Sequence, residues 1–131
     1  ECQVILPPLE NDLLDLFLAT TQQRLDEKSI QISNKHYCCV VLSSDGYPVE
    51  YEKGKEITGI EDVDDDIVVF HAGTAKKDGK LVTNGGRVLN VVGNGDTLQK
   101  AIDKTYAGIE HIQFENRYFR KDIGYKGLRR A

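Results

Sequence analysis

Residues 81–92 have the sequence Leu-Val-Thr-Asn-Gly-Gly-Arg-Val-Leu-Asn-Val-Val, two β-favouring runs separated by Asn84-Gly85. An Asn-Gly pair between apolar runs is a strong signal for a two-residue hairpin turn. A second signal of this kind, Asp78-Gly79, lies between the segment that contains Phe70 and the segment that contains Leu81. The sequence therefore predicts an antiparallel meander in the middle of the chain.

Further strands are predicted on the N-terminal side of this stretch. Residues 37–42 form a continuous β-favouring run, which ends at a turn containing Gly46 and Pro48. Residues 67–71 are an unbroken apolar run up to His71, so we expect a strand that is buried on both faces. A short strand is expected near residues 56–58.

One long helix is predicted after the strands. Asp96 and Gln99 have the spacing of a capping box, and the helix is expected from about Thr97 to His111. Its apolar positions recur at helical spacing: Leu98, Ala101, Ile102, Thr105, Ile109 and Ile112. Strands followed by a covering helix indicate the α+β class.

The first part of the chain is predicted to be a separate unit. Val4-Ile5-Leu6 before a double proline is typical of the end of a short buried strand. Asn11 is a plausible N-cap for an amphipathic helix from about Asp12 to Leu25. We expect residues 1–27 to be one unit, residues 28–36 to be a linker and residues 37–131 to form the main globular unit.

Composition narrows the class of protein. The chain has 131 residues, 40% hydrophobic and 29% charged, which is typical of one globular domain with a short appendage. A net charge of −4 gives no electrostatic support for a nucleic acid or an anionic membrane as partner. No apolar run approaches the roughly 20 residues of a membrane helix, so we expect a soluble, cytoplasmic protein. Because the chain has no Met and begins with Glu1, we expect it to be a piece of a longer chain.

The residues do not form a recognisable catalytic or metal-binding motif. Cys38 and Cys39 are neighbours in a predicted strand, so their side chains point to opposite faces and do not share a metal. His36, His71 and His111 are scattered, without Cys or acidic residues at ligand spacing. No catalytic residue and no metal ligand is therefore predicted.

Two segments are candidates for binding an anion. The turn that ends in Gly86-Arg87 combines backbone N–H groups with a permanent cation, although a plain hairpin explains its glycines equally well. His71 ends a strand beside Ala72-Gly73-Thr74, where a loop could meet a ligand. Residues 120–124 place Arg120, Lys121 and Asp122 together before a glycine, which suits bidentate phosphate contact, although such charges are often solvated surface.

Four segments together resemble a known family. They are residues 70–74, residues 81–89, residues 120–124 and the region of Gly46-Tyr47-Pro48 with Tyr51 and Lys53-Gly54. In this order they resemble the C-terminal domain of phosphoribosylamine–glycine ligase, also called glycinamide ribonucleotide synthetase. The resemblance spans nearly the whole chain, and residues 1–7 resemble the end of the family's signature loop and the strand that follows it in the ATP-grasp domain.

The resemblance implies an activity for a longer parent enzyme. Such an enzyme joins glycine to phosphoribosylamine, with hydrolysis of ATP to ADP and phosphate, in the second step of purine synthesis. Glycine is first phosphorylated to an acyl phosphate, so positioning and charge stabilisation by Mg²⁺ and basic groups are the protein's task. The ATP and Mg²⁺ sites of the family precede Glu1, so the fragment is expected to be inactive alone and to bind no cofactor. Its fold is expected to be a rudimentary barrel-sandwich hybrid that closes one side of the cleft.

The resemblance also implies substrate-binding residues. A basic pair before a glycine holds the substrate phosphate in related ATP-grasp enzymes, and Arg120 and Lys121 occupy the matching place. We expect them to contact the phosphate or ribose of phosphoribosylamine, with Asp122 orienting them and with Arg87 and His71 lining the site. The expected partners are glycine, phosphoribosylamine and the rest of the ATP-grasp enzyme, with no nucleic acid and no membrane.

Two other functions remain possible at this point. The chain could be a free-standing module, a small barrel that binds phosphorylated ligands or carries a prosthetic group on a lysine such as Lys76 or Lys77 beside Asp78-Gly79. It could also be a domain that only stabilises its neighbour. In that case the charges of Arg120 and Lys121 would be dispensable for activity.

Overall fold

A computed structural model describes residues 1–129, so Arg130 and Ala131, the end of the predicted unit 37–131, lie outside the described residues. Helices and strands alternate irregularly along the chain. The helices are α1 (Cys2–Ile5), α2 (Leu13–Thr21), α3 (Leu98–His111) and α4 (Tyr125–Leu128), with a 3₁₀ turn at Leu25–Glu27. The strands are β1 (His36–Ser44), β2 (Val68–His71), β3 (Thr74–Lys77), β4 (Lys80–Thr83), β5 (Arg87–Gly95) and β6 (Arg117–Tyr118).

The strands form two antiparallel sheets. The larger sheet has the order β2-β5-β1-β6, and β3 pairs with β4 in a separate two-stranded sheet. The longest pairing joins β1 to β5, from His36 opposite Gly95 to Leu42 opposite Leu89. The prediction of an α+β fold with antiparallel strands is confirmed, and within residues 1–129 the sheets do not close into a barrel.

The core lies between the larger sheet and α3. Side chains alternate across a strand, so Cys38, Val40 and Leu42 of β1 face the helix and are buried. Leu89 and Val91 of β5 lie opposite them in the pairing and belong to the same core. The predicted packing of the long helix on the sheet is therefore confirmed, and the intervening residues of β1 and β5 face the other side.

Thr105 joins α3 to both central strands. This fully buried side chain accepts a hydrogen bond from the backbone N–H of Gly93 (3.0 Å). Its hydroxyl donates to the carbonyl of Ala101 (2.7 Å) or of Cys38 (3.1 Å). A Cβ atom at position 93 would lie 2.6 Å from the Thr105 Oγ1, so the close approach of helix and strand requires glycine there.

One of the two predicted hairpins is present and the other is not. Asp78 and Gly79 both have positive φ, 51° and 78°, which is the geometry of a type I′ turn, and they join β3 to β4. The prediction that Asn84-Gly85 forms a hairpin is wrong, because β4 pairs with β3 and β5 pairs with β1 and β2. The Asn84 N–H instead donates to the carbonyl of Gly73 (2.7 Å), so the Asn-Gly pair connects two sheets. The strand order of the larger sheet accordingly differs from that of a meander.

The strand that ends at His71 is shorter and more exposed than predicted. Ile67 is buried, but it precedes β2, and both Val68 and His71 are exposed. The expectation of burial on both faces is wrong because β2 is an edge strand beside β5 alone. The strand expected at residues 56–58 is reduced to two isolated bridges, Glu56 to Val82 and Thr58 to Gln113.

The N-terminal segment departs from its prediction. The strand expected at Val4–Leu6 is wrong, since the Glu1 carbonyl accepts from the backbone N–H groups of Val4 and Ile5 in the single turn of α1. Three apolar residues are too few to distinguish strand from helix by periodicity.

The helix caps also differ by one residue from the predictions. Asp12, rather than Asn11, caps α2 through its carboxylate, which accepts from the N–H groups of Leu14 and Asp15. Thr97, rather than Asp96, caps α3. Both helices thus begin within one residue of the predicted start, because a neighbouring residue with a suitable oxygen takes the capping position. No helix within residues 1–129 is long and apolar enough to cross a membrane.

We predict that replacing Thr105 by Val lowers the free energy of unfolding by about 1–3 kcal/mol, because the buried N–H of Gly93 loses its acceptor. Urea denaturation measures the change. Amide hydrogen exchange at Gly93 should accelerate in the Val variant and stay slow in the control variant Thr105→Ser, which keeps the hydroxyl. A Val variant as stable as the original chain would contradict the assignment.

Candidate functional site

A cleft of about 750 Å³ lies on the sheet face opposite α3. Its floor includes Cys39 and Val41 of β1 and Asn90 of β5. One side is formed by α1, which lies against β1 and β5, and the other by backbone and side chains of the loops around the sheet. This side consists of the loop residues Tyr47, Ala72, Gly73 and Gly86 and of the first residue of β5, Arg87.

A smaller pocket of about 260 Å³ adjoins the cleft. The two cavities share Cys39, Val41, Tyr47 and Arg87. The far wall of the smaller pocket includes Arg120. The structure therefore brings Arg87 and Arg120, which are 33 positions apart in the sequence, to one continuous surface.

A β-bulge directs Arg87 toward this surface. Leu42 lies opposite Leu89, but the next residue of β1, Ser43, lies opposite Arg87, so Val88 is an extra residue in β5. Without that residue Arg87 would share the core-facing side with Leu89, because side chains alternate along a strand. Bulges of this kind commonly re-aim a side chain next to a functional site.

Glycines let two loops meet at the rim of the cleft. The N–H of Gly73 donates to the carbonyl of Arg87 (2.8 Å), which ties the loop after β2 to the start of β5. A Cβ at position 73 would lie 2.6 Å from the Cα of Gly85, so the loops come this close only with glycine. The ring of Tyr47 covers Gly86 and contacts Tyr51 edge to face, which gives the rim an aromatic wall.

Arg120 is held in a fork by Asp122. Its Nε and Nη2 donate to the two carboxylate oxygens at 2.9 Å and 2.6 Å. These hydrogen bonds hold the pKa of Asp122 below its ordinary value and raise the pKa of Arg120 further. The two hydrogen bonds restrict the orientation of the Arg120 guanidinium. Because the guanidinium remains exposed, its charge is accessible to a ligand.

Tyr106 of α3 anchors the segment that contains Arg120 and Asp122. The Tyr106 hydroxyl donates to the carbonyl of Arg120 (2.7 Å) and accepts from the N–H of Ile123 (3.2 Å). Partial burial raises the pKa of the Tyr106 phenol, which keeps the hydroxyl protonated and able to donate. Tyr106 thereby fixes the backbone on both sides of the Arg120–Asp122 pair.

The other two predicted site residues lie elsewhere. Lys121 lines two neighbouring pockets, one beside Asp122 and Ile123 and one beside Glu110, but it does not line the cleft or the pocket that contains Arg120 and Arg87. His71 lies opposite Leu89 in the sheet, so it projects toward the face that Leu89 occupies. Its Nδ1 is 3.1 Å from the Thr74 Oγ1, and it is not among the residues that line the cleft or the adjoining pocket.

Sequence reasoning missed two residues on the cleft floor. The expectation that Cys38 and Cys39 point to opposite faces is confirmed, and Cys39 is half-buried on the cleft floor, where burial together with the neighbouring Cys38 raises the pKa of its thiol. Asn90 belongs to no recognised motif, and the only signal that marks it is its position as a lone amide within the apolar run 88–92. Both face the cleft because they alternate with core residues in the two central strands.

The fold and the cleft define an α+β domain that presents two arginines beside a cavity on one face of an antiparallel sheet. A family model described as "Phosphoribosylglycinamide synthetase, C domain" matches residues 37–126, and the chain belongs to this family. This confirms the resemblance found in the sequence.

Curated relatives and a solved structure agree with this assignment. The chain is 46% identical over 123 residues to a phosphoribosylamine–glycine ligase of Caldanaerobacter subterraneus, covering 94% of this chain and 29% of the relative. It is 45% identical over 130 residues to the same ligase of Pasteurella multocida, covering 99% of this chain and 30% of the relative. The crystal structure of a Thermotoga maritima phosphoribosylamine–glycine ligase is similar with a TM-score of 0.71 and 36% identity, over 92% of this chain and 29% of that one. The chain thus spans about three-tenths of the length of these relatives.

We predict that replacing Tyr106 by Phe loosens the Arg120 segment and costs about 1 kcal/mol of stability, because the hydroxyl loses its bonds to Arg120 and Ile123. Amide hydrogen exchange at Ile123 should accelerate. The control is Tyr37→Phe, since the Tyr37 hydroxyl makes no hydrogen bond to the part of the chain that the structure describes. Equal exchange at Ile123 in both variants would show that Tyr106 does not hold the segment.

Proposed function

We propose that this chain is the C-terminal part of a ligase that joins glycine to phosphoribosylamine with hydrolysis of ATP. The product is glycinamide ribonucleotide, and the reaction is the second step of purine synthesis. The names of the relatives and their identity over nearly the whole chain support this proposal. In such an enzyme the present chain supplies one wall of the phosphoribosylamine site.

The convergence of Arg87 and Arg120 carries the proposal. A phosphate group accepts hydrogen bonds on several oxygens, and arginine is suited to bidentate contact with it. Among residues 1–129, Arg87 makes no ion pair, so its charge is available to a ligand. Arg120 is restrained by Asp122, which reduces the orientational freedom lost on binding. We assign the phosphate of phosphoribosylamine to this pair, with Asp122 as the residue that orients Arg120.

Lys121 and His71 remain weaker candidates for the same site. Neither lies on the surface shared by Arg87 and Arg120. Contact with substrate would require a ligand that extends past Arg120 or a movement of the loop after β2. Their roles stay predictions, and the comparison of Arg120 with Lys121 is a sensitive test of which basic residue faces the substrate.

The remaining parts of the reaction belong to the rest of the enzyme. Within residues 1–129, no group of three or more His, Cys, Asp and Glu side chains could hold a metal ion, so we derive no step through Mg²⁺ or ATP from this chain.

We assign residues 1–27 to the end of the ATP-grasp domain, residues 28–36 to a linker and residues 37–131 to the C-terminal domain. Exposed apolar side chains support contact of the first unit with the preceding domain: Ile5, Leu6, Leu14, Phe17 and Leu18. We place the enzyme in the cytoplasm, without nucleic acid or membrane as partner.

We predict that Arg120→Ala raises the KM for phosphoribosylamine about ten- to a hundredfold, because a charge-assisted contact to the phosphate is lost. The KM for ATP should stay unchanged. The assay is ADP release by a chimera in which this chain replaces the matching region of the Caldanaerobacter ligase.

Two further variants sharpen this test. Lys121→Ala should have a much smaller effect, because Lys121 does not line the cleft or the adjoining pocket. Lys80→Ala is the control, since Lys80 is also an exposed cation paired with a carboxylate (Glu56, 2.8 Å) but lies in the two-stranded sheet. Equal changes in the KM values for ATP and phosphoribosylamine, or no change in either, would contradict the proposal.

A further inference from the structure

Asn90 is a buried amide in an apolar environment. It lies near the middle of β5, which is a central strand of the sheet, and is only 7% exposed. Its neighbours in sequence, Leu89 and Val91, are fully buried, and it lies opposite Val41 of β1 and Phe70 of β2. An apolar side chain would suit this position, because the buried residue two positions later on the same face of β5 is Val92.

The amide of Asn90 has no protein partner within residues 1–129, although its side chain lines the cleft. No buried side-chain nitrogen or oxygen of the described residues is both sealed from solvent and without a hydrogen bond, so the amide is reached from the cleft. In the free protein, water in the cleft therefore hydrogen-bonds the amide. A ligand that places a polar group against Asn90 replaces this water, whereas a ligand that covers Asn90 with an apolar group leaves the amide without a partner, which costs free energy.

The chemistry of the amide indicates which part of a ligand it meets. A carboxamide both donates and accepts hydrogen bonds, whereas phosphates and ionised carboxylates only accept. Hydroxyl groups donate and accept as well, so a sugar hydroxyl satisfies both ends of the amide. Arg87 lies on the same face of β5 as Asn90. Because of the bulge it lies opposite Ser43 while Asn90 lies opposite Val41, so the two are separated by two residues of the partner strand, about 7 Å. A sugar phosphate with its phosphate against Arg87 therefore extends along the strand to Asn90, beside Val41 of β1.

We propose that Asn90 binds the ring hydroxyls of the sugar phosphate whose phosphate lies against Arg87 and Arg120. This assignment rests on the proposed function and adds a residue that recognises the ribose. Asn90 thus distinguishes a hydroxylated sugar from other phosphorylated groups of similar size, while the arginines supply affinity for any phosphate.

Two probes separate the hydroxyl contact from the phosphate contact. Ribose 5-phosphate is a stable stand-in for phosphoribosylamine, and tetrahydrofurfuryl phosphate keeps the ring oxygen and the phosphate but has no ring hydroxyl. Calorimetric titration of the chimera with each probe gives two dissociation constants, and the ratio of these constants measures the preference for ribose 5-phosphate. We expect Asn90→Ala to weaken ribose 5-phosphate about five- to tenfold and to leave tetrahydrofurfuryl phosphate unchanged.

A second variant excludes a merely structural role. Asn90→Val places a β-branched apolar residue in a central strand and removes the unpartnered amide, so the melting temperature of the free protein should stay equal or rise. The same variant should lose the preference for ribose 5-phosphate. A lowered melting temperature with an unchanged preference would show that Asn90 supports the fold or binds only water, and would overturn the proposal.

The arginine variants distinguish the two proposals. Arg87→Ala and Arg120→Ala should weaken both probes to the same extent. If they do so while the Asn90 variants keep the original preference, the ribose assignment fails and the phosphate site stands. If the arginine variants leave both probes unchanged, or if the chimera binds neither probe, the phosphate site fails and the Asn90 assignment fails with it.

Discussion

The antiparallel pairing of β1 with β5 is the constraint on which the rest of the structure depends. It places alternate residues of both strands against α3 and leaves the intervening ones to face the cleft. The hydroxyl of Thr105 fixes this arrangement, since it bonds to β5 and can donate to β1 from within the helix. A register shift of one residue would bury Asn90 in the core and expose Leu89. The core and the site are therefore set by the same pairing.

Because of the bulge at Val88, β5 contributes side chains to the core and also directs Arg87 to the cleft. On its C-terminal side β5 follows the regular alternation, and at its start Arg87 is turned to the cleft side. Arg120 reaches the same surface from a segment near the end of the chain, restrained by Asp122 and by the hydroxyl of Tyr106. One arginine is thus positioned by sheet geometry and the other by side-chain hydrogen bonds, and both line the same pocket.

Local patterns predicted those features that depend on neighbouring residues. The helical spacing of α3 and the Asp78-Gly79 turn were correct because periodicity and positive φ are properties of short segments. Asn84-Gly85 has the same turn chemistry, yet its hairpin is absent because pairing of β5 with β1 and β2 prevails. The Arg120–Asp122 contact joins near neighbours, whereas the convergence of Arg120 with Arg87 depends on the tertiary fold. The family was recognised from the order of longer motifs, and the match over residues 37–126 confirmed it.

The central claim is that a sugar phosphate occupies the cleft above Cys39, which lines both the cleft and the adjoining pocket. The most direct measurement is the rate of alkylation of Cys39 in the chimera at mildly alkaline pH, with the exposed Cys2 changed to Ser and the modified peptide quantified by mass spectrometry. The account predicts that ribose 5-phosphate slows this reaction in proportion to its occupancy, and that Arg120→Ala shifts the protection to higher concentrations. An alkylation rate that does not change at saturating ribose 5-phosphate would contradict the account.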